Sequence, residues 1–338
     1  MTLPLVVTMG DAAGIGPEIV ARAFVAGAAD GCVVVGDVGA MRRAMALLPE
    51  PWPLARIEAL ADVAAVPPRC LPVWQPEGLP ADLANLPWGQ VDARAGAAAA
   101  TCIEAAVRAV QRGEGGAIVT APIHKAAFAA AGVPFPGHTE MLQALAGGVP
   151  VRMMLANDEL RVVLVTIHQS LRSAIDAVSF DAVLQTLRIA HAAGVGHRIA
   201  VAGLNPHAGE GGLFGDEEQR IIAPAIAAAR AQGIDAQGPF AADTVFMRAR
   251  RGEFDVVIAM THDQGLIPVK YLGVEQGVNV TLGLPFVRTS PDHGTAFDIA
   301  GRGVADASSL VAAIGWARRC VSGDRRGSGS AGPQAVPP

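Results

Sequence analysis

The sequence predicts an α/β fold with two lobes, built on a largely parallel sheet with flanking helices. Strand-like apolar runs alternate with helical stretches along most of the chain, a pattern typical of parallel sheets. The chain has 338 residues, 51% of them hydrophobic, whereas a single core stops growing at roughly 250–300 residues. No Gly-x-Gly-x-x-Gly motif follows the first strand, because Ile19 stands where the third glycine would be. A standard Rossmann fold is therefore not expected.

The N-terminal segment predicts a buried strand at residues 5–9, followed by a glycine-containing turn at 10–16. Pro17 suits the first position of the next helix, because its missing N–H would have no partner there. Residues 32–36 predict a second strand. Residues from about 40 to 90 contain several prolines and tryptophans, and we expect them to be irregular and peripheral.

Helices and strands also alternate in the remaining chain. Residues 92–112 are rich in alanine and predict a long helix with Asp92 as its N-terminal cap. A strand is expected at 116–120, and Thr139 is expected to cap a helix that opens near His138. Further helices are predicted at 181–193, 216–232 and 306–319.

Composition excludes several classes of protein. The formal net charge is −5 and no basic stripe with interleaved aromatic residues is found, so nucleic acid is not an expected partner. No apolar run approaches the roughly 20 residues that span a bilayer, and the first residues do not form a signal peptide. The four cysteines form no Cys-x-x-Cys pair. We expect a cytoplasmic protein without membrane association.

We expect residues 1–322 to form one catalytic unit of two α/β lobes, with the active site in the cleft between them. Residues 323–338 are rich in glycine, serine and proline and predict a disordered tail.

Three histidines occupy matching positions, each at or just past the end of an apolar, strand-like run. They are His168, His207 and His262. Open parallel sheets present their ligand-binding groups at the carboxyl ends of the strands. Neutral imidazoles suit zinc and other divalent first-row metals. The alternative, three hydrogen-bonded loop histidines, is weakened by the repeated placement, so we predict a metal site.

Several other residues have the chemistry of a binding site. The chain has only two lysines, Lys125 and Lys270, and both follow strand-like runs. Arg288 lies in a dense glycine-rich stretch and has the geometry to bind a phosphate or carboxylate with two hydrogen bonds, although a surface ion pair is the alternative. Asp243 is either a functional carboxylate or the cap of a helix beginning near Thr244.

Several motifs together resemble one family. They are residues 9–18 (Met-Gly-Asp-Ala-Ala-Gly-Ile-Gly-Pro-Glu), 137–140 (Gly-His-Thr-Glu), 205–212 (Asn-Pro-His-Ala-Gly-Glu-Gly-Gly), 262–265 (His-Asp-Gln-Gly) and 283–290 (Gly-Leu-Pro-Phe-Val-Arg-Thr-Ser). In this order they resemble the 4-hydroxythreonine-4-phosphate dehydrogenase family of pyridoxal phosphate biosynthesis. Residues 293–301 are also similar to the cofactor loop of the isocitrate and isopropylmalate dehydrogenase group, which binds NAD without a Rossmann fingerprint.

The resemblance implies an isocitrate/isopropylmalate dehydrogenase-like homodimer with shared active sites, which oxidises 4-phosphohydroxy-L-threonine with NAD or NADP. It implies one divalent metal per site (zinc, cobalt or magnesium) held by the three histidines, with His262 supplied by the partner subunit. The substrate-binding residues that it implies are His138, Thr139, Lys270, Asn279 and Arg288. The cofactor would contact Gly294, Thr295 and Asp298. Asp243 and Asp263 are the candidate bases, beside a metal-bound water.

The residues around His168 depart from the family pattern. Ile167 stands where threonine is usual, and Gln169-Ser170 stands where Leu-Pro is usual. This keeps related substrates open, namely phosphorylated threonate or erythronate and an aromatic dicarboxylate cis-dihydrodiol. A metal-dependent hydrolase and a non-catalytic phosphate-binding module are the alternatives from other classes.

Overall fold

The computed structural model describes residues 3–273 and 276–323. Contacts within the chain define two units. One is formed by Met1–Pro150 together with Leu284–Val321, and the other contains Val151–Gly283. Both are α/β, as the sequence predicts.

The first unit contains a parallel sheet. Its described strands are β1 (Leu5–Thr8), β2 (Cys32–Val35), β3 (Leu54–Ile57), β4 (Leu71–Trp74), β5 (Ala117–Thr120) and β12 (Arg288–Pro291). They lie in the order β3-β4-β2-β1-β5-β12, and each neighbouring pair is parallel. The strands β1, β2 and β5 are buried along their whole length, which confirms the apolar runs read as strands.

The helices of the first unit begin largely where the capping signals predict. They are α1 (Gly16–Val25), α2 (Val38–Met45), α3 (Ala93–Gln111), α4 (Lys125–Ala130), α5 (His138–Leu145) and α11 (Ser308–Val321). Pro17 lies in the first turn of α1, and the Asp92 side chain accepts a hydrogen bond from the Arg94 N–H at the start of α3. The prediction for Thr139 is wrong, because Gly137 is the cap of α5 and Thr139 lies inside its first turn.

The expectation for residues 40–90 is also wrong. This stretch contains most of α2 and the strands β3 and β4, which extend the sheet beyond β2. Met41, Leu71 and Val73 are fully buried. The two strands have four residues each, and Pro53 and Pro72 interrupt the apolar pattern that would reveal them.

The second unit contains a mixed sheet. Its described strands are β6 (Arg152–Ala156), β7 (Arg161–Leu164), β8 (Ile199–Ala202), β9 (Ala236–Phe240), β10 (Val256–Ala259) and β11 (Val278–Leu282). They lie in the order β11-β6-β7-β10-β8-β9. The strands from β7 to β9 are parallel, whereas β6 is antiparallel to both of its neighbours.

Helices surround this second sheet. They are α6 (Leu171–Ala177), α7 (Phe180–Ala192), α8 (Ala223–Arg230), α9 (Ala242–Arg250) and α10 (His262–Tyr271). A π-helical turn, Glu218–Ile222, precedes α8, so the predicted helix at 216–232 begins with irregular geometry. A core that includes Val162, Leu164, Val257 and Leu266 fills the space between sheet and helices.

Within the described residues, no helix is long and apolar enough to cross a membrane. The predicted tail lies, from residue 324 onward, outside the described residues.

Candidate functional site

Two of the three singled-out histidines meet at the carboxyl ends of adjacent parallel strands in the second unit. Pairing continues past β7 and β10, since the Val165 N–H donates to the Ala259 carbonyl and the Thr166 hydroxyl donates to the Met260 carbonyl at 2.7 Å. The strand extensions therefore stop side by side, and the rings of His168 and His262 have centroids 5.6 Å apart. The strand-end placement thus predicts the proximity of this pair.

Neighbouring side chains fix the position of His262, the first residue of α10. Its Nδ1 lies 2.7 Å from a carboxylate oxygen of Asp263, which leaves Nε2 as the ring nitrogen for a further ligand. Gln264 links two strand ends, because its carbonyl accepts from the Met260 N–H at 2.6 Å and its amide donates to the Gly203 carbonyl at 2.7 Å. The start of α10 is therefore held to the segment that leads to His207.

His207 lies on a loop with unusual backbone geometry. Residues 207–211 all have positive φ, including the non-glycine residues His207 (53°), Ala208 (51°) and Glu210 (42°). Such angles cost of order 1–3 kcal/mol for each non-glycine residue and persist only where the surroundings enforce them. The His207 ring is exposed and lies 6.1 Å from the ring of Phe214.

The carboxylate of Glu218 binds the segment that leads into this loop. It is 3% exposed and accepts hydrogen bonds from the N–H groups of Leu204 and Asn205, both at 2.7 Å, and from the Asn205 side chain at 3.0 Å. Burial raises the pKa of Glu218, but the hydrogen bonds from Asn205 and Leu204 outweigh it, so the pKa lies below its usual range. The ionised carboxylate therefore anchors the loop that carries His207.

The imidazole nitrogens of these histidines suit a divalent metal, but one chain brings together only two of the three predicted ligands. Among residues 3–273 and 276–323, no three His, Cys, Asp or Glu side chains form a group that holds a metal ion. His168 and His262 are close, while His207 does not join them in such a group. The prediction of a three-histidine metal site therefore remains a prediction.

The first unit contains a buried polar cluster around Arg288. This residue is 3% exposed, and its guanidinium donates to the Thr120 hydroxyl at 2.6 Å. Burial lowers the pKa of Arg288 to about 10. Burial, together with the positive charge of Arg288, lowers the pKa of His138 well below its usual range. A cation and a neutral imidazole therefore lie in one desolvated site.

This cluster suits an anion. The buried Nε2 of His138 has no hydrogen-bond partner, and His138 and Thr139 occupy the first turn of α5, where backbone N–H groups favour negative charge. Buried polar atoms normally find a partner, so a ligand oxygen is the natural complement. Thr120 was missed by the sequence analysis, and only its position at the end of an apolar strand could have revealed it.

The remaining substrate candidates lie in the second unit. Lys270 is in the last turn of α10, and Asn279 is on β11, where it pairs with Leu155 of β6. Asp243 is exposed in the first turn of α9, and the cap there is Ala241, so Asp243 is not the helix cap.

The candidate cofactor loop is tied to the N-terminal turn of the first unit. The carbonyl of Thr295 accepts a hydrogen bond from the Ile15 N–H at 3.0 Å, and the ring of Phe297 stacks on His124 with centroids 4.5 Å apart. Gly294 and Asp298 are exposed, whereas Thr295 is buried. Two of the three predicted cofactor residues are therefore accessible to a ligand.

Asp11, on the same turn, is a second buried group that the sequence analysis did not single out. Its Oδ1 accepts from the Ala13 N–H at 2.8 Å, and its buried Oδ2 has no hydrogen-bond partner. Burial raises the pKa of Asp11 to about 6, although the hydrogen bond from Ala13 and the nearby His124 oppose the rise. Its place inside a glycine-rich turn after a strand was the available signal.

Comparison with known proteins decides the family. A sequence model of the family described as "Pyridoxal phosphate biosynthetic protein PdxA" matches residues 28–317. The chain belongs to this family. The match covers both units, so the PdxA family assignment applies to almost the whole chain.

Three PdxA-like relatives are informative. The chain is 57% identical to 4-hydroxythreonine-4-phosphate dehydrogenase of Beijerinckia indica subsp. indica, over 94% of each protein. It is 45% identical to D-threonate 4-phosphate dehydrogenase of Salmonella typhimurium, over 93% of this chain and 97% of the relative. A crystal structure of 4-hydroxythreonine-4-phosphate dehydrogenase from Klebsiella pneumoniae superposes with a TM-score of 0.88 at 44% identity, covering 95% of this chain and 98% of that one.

Proposed function

We propose that this protein is a 4-hydroxythreonine-4-phosphate dehydrogenase that uses NAD or NADP and one divalent metal. The substrate's secondary alcohol loses a hydride and a proton, which gives 2-amino-3-oxo-4-phosphooxybutanoate. This β-keto acid loses carbon dioxide to give 3-amino-2-oxopropyl phosphate. The single observation that carries the proposal is the 57% identity, over nearly the full chain, to a relative named for this reaction.

The chain supplies groups that suit each part of this reaction. Arg288 and His138 bind the anionic substrate, with Thr139, Lys270 and Asn279 as further contacts, because charge-assisted bonds to a desolvated guanidinium are strong. When bound, the metal supplies Lewis acidity toward the hydroxyl and the nicotinamide accepts the hydride. The Asp263 carboxylate lies 2.7 Å from Nδ1 of His262 and would hold that ring, while Asp243, Asp263 and a metal-bound water are the candidate proton acceptors.

A substrate screen tests the proposed activity. NAD and NADP reduction is followed by absorbance after chelation and re-addition of zinc, cobalt or magnesium. The substrates are 4-phosphohydroxythreonine, phosphorylated threonate or erythronate, and an aromatic dicarboxylate cis-dihydrodiol. We expect the highest kcat/KM with 4-phosphohydroxythreonine, and no reduction without metal. Phosphate-ester hydrolysis without reduction would indicate a metal-dependent hydrolase instead.

A second candidate is oxidation of D-threonate 4-phosphate. The 45% identical Salmonella typhimurium relative is named for that substrate, and Ile167, Gln169 and Ser170 flank His168 here. The two substrates differ at one position, which carries an amine in the first and a hydroxyl in the second. A higher kcat/KM for the hydroxy acid in the same screen would favour this second candidate.

We also propose that a homodimer completes the metal site, because one chain brings together only part of the ligand set. Mixed dimers of inactive variants identify the contributing chains. If a partner supplies His262, as the resemblance implies, His168→Ala mixed with His262→Ala regains activity and His168→Ala mixed with His207→Ala does not. If His168 and His262 act from one chain, the recovery is reversed. No recovery in either mixture, with subunit exchange demonstrated, would reject the shared site.

A further inference from the structure

Trp88 lies against the backbone of the candidate cofactor loop in the first unit. Gly301 has φ +75°, and a Cβ placed on it would collide with the indole ring, lying 2.7 Å from Nε1. The ring and the loop backbone are therefore in direct contact. Any residue other than glycine at 301 would push them apart.

Arg43 fixes the position of the indole. Its guanidinium carbon lies 3.6 Å from the ring centroid, within the range of a cation–π contact. The same guanidinium donates to the carbonyls of Ala12 at 2.9 Å and of Ala84 at 3.0 Å, and also to that of Leu86. Arg43 thus ties Trp88 to both flanking backbone segments.

Adjacent contacts hold the loop on either side of Gly301. A Cβ on Gly89, the residue after Trp88, would collide with the carbonyl of Phe297, and the Gly89 N–H donates to the Ala13 carbonyl at 2.8 Å. Beyond Gly301, the buried Glu18 accepts from the Ala305 N–H at 2.9 Å. Trp88 therefore contacts the middle of a segment that is hydrogen-bonded through the Thr295 carbonyl on one side and the Ala305 N–H on the other.

We propose that Trp88, oriented by Arg43, is a positioning residue that keeps residues 293–303 in the conformation that binds the nicotinamide dinucleotide. This inference rests on the proposed function, together with the resemblance of residues 293–301 to a cofactor loop. A loop that spends less time in its binding conformation binds more weakly in proportion to the lost population. Trp88 thus acts on cofactor affinity through the loop.

Titration calorimetry of the whole protein with NAD, with parallel steady-state kinetics, tests this role. If Trp88→Ala leaves the binding conformation populated about a tenth of the time, the Kd and KM for NAD rise about tenfold. The KM for the phosphorylated substrate should stay within about twofold, because none of the proposed substrate-binding residues lies in residues 293–303. Trp88→Phe restores most of the affinity, since a flat ring under Arg43 is retained. Trp88→Leu serves as the second truncation if the alanine variant does not fold.

Trp52 provides the matched control. Its ring also lies near an arginine, Arg69 at 5.9 Å, so Trp52→Ala removes an indole from a similar pair. We expect this variant to keep its NAD affinity. Amide hydrogen exchange gives a readout independent of turnover, and exchange of residues 293–303 should rise in Trp88→Ala but not in Trp52→Ala.

The outcomes separate this inference from the proposed function. Unchanged NAD affinity and unchanged exchange in Trp88→Ala would overturn the positioning role while leaving the dehydrogenase intact. An equal rise in the KM for NAD and in the KM for the phosphorylated substrate would also overturn it, because that result indicates general damage to the fold. A wild-type protein that neither binds nor reduces NAD or NADP would reject the proposed function itself, and the dinucleotide role with it.

Discussion

Replacing Glu218 with glutamine removes the charge that holds the His207 loop in its left-handed conformation. The carboxylate accepts three hydrogen bonds, two of them from backbone N–H groups at 2.7 Å. Hydrogen bonds to a charged group contribute about 1.5–3 kcal/mol each, against about 0.5–1.5 kcal/mol for neutral ones. The three hydrogen bonds therefore contribute roughly 3 kcal/mol less to stability in Glu218→Gln. Burying a neutral side chain costs less than burying a charge, which offsets part of this difference. We expect a net loss of about 2 kcal/mol.

Urea unfolding at two pH values measures this loss and its origin. The pKa of Glu218 in the folded protein is lowered, so its contribution is present above the pKa of the unfolded chain. It is lost as the pH falls through the folded value. The wild type and Glu218→Gln should therefore differ at pH 7 and converge as the pH is lowered below about 4.3, the usual glutamate value.

In Glu218→Gln, the loop should also keep His207 less firmly in position. Groups that orient a metal ligand typically change metal affinity 10–100-fold when removed, so zinc titration should show weaker binding by Glu218→Gln. Glu104→Gln is the control, because Glu104 forms an exposed ion pair with Arg108 and should change stability by less than about 1 kcal/mol. Wild-type stability with an unchanged pH dependence in Glu218→Gln would refute the anchoring role.

Three further predictions concern buried groups. Thr120→Val should raise the KM for the phosphorylated substrate about tenfold, a loss of about 1.4 kcal/mol, because Arg288 loses its 2.6 Å acceptor; Thr120→Ser should keep the wild-type KM, and equal KM values in both variants would contradict this. The wild type should lose up to about 3 kcal/mol of stability as the pH rises from about 4 to 7, since the raised pKa of Asp11, about 6, favours the protonated folded form at low pH. Asp11→Asn should not show this loss, and unfolding curves of both proteins at both pH values check it. Gly209→Ala should lower stability by more than 1 kcal/mol, because φ is +80° and a Cβ would lie 2.7 Å from Glu218 Oε2; an unchanged melting temperature would count against it.

The strands that were predicted are those that a local pattern of apolar residues reveals. The strands predicted at residues 5–9, 32–36 and 116–120 are β1, β2 and β5, buried parallel strands whose sequences are continuous apolar runs. The strands β3 and β4 were missed because proline adjoins β3 and lies within β4, and Arg56 interrupts the apolar run of β3. Their presence depends on pairing with β2, which no local pattern reveals.

The candidate site likewise has one part that the sequence predicts and one part that it does not. The meeting of His168 and His262 was predictable, since both follow parallel strands and β7 and β10 are neighbours. The conformation of the His207 loop was not, because Ala208 and Glu210 have no intrinsic preference for positive φ. Glu218 anchors the entry to this loop from a later segment of the chain, and the sequence gives no sign of that contact.

The two polar sites differ in the burial of their ionisable groups, and this difference fits their proposed ligands. In the first unit, burial shifts Arg288 and His138 away from their charged forms, so a bound anion would offset a desolvation cost that the folded chain already carries. In the second unit, His168 and His207 are exposed and His262 is half-buried, so a metal ion could reach these side chains from solvent. A substrate lacking its phosphate should therefore lose most of its affinity at Arg288, while the metal affinity of the histidines is unaffected.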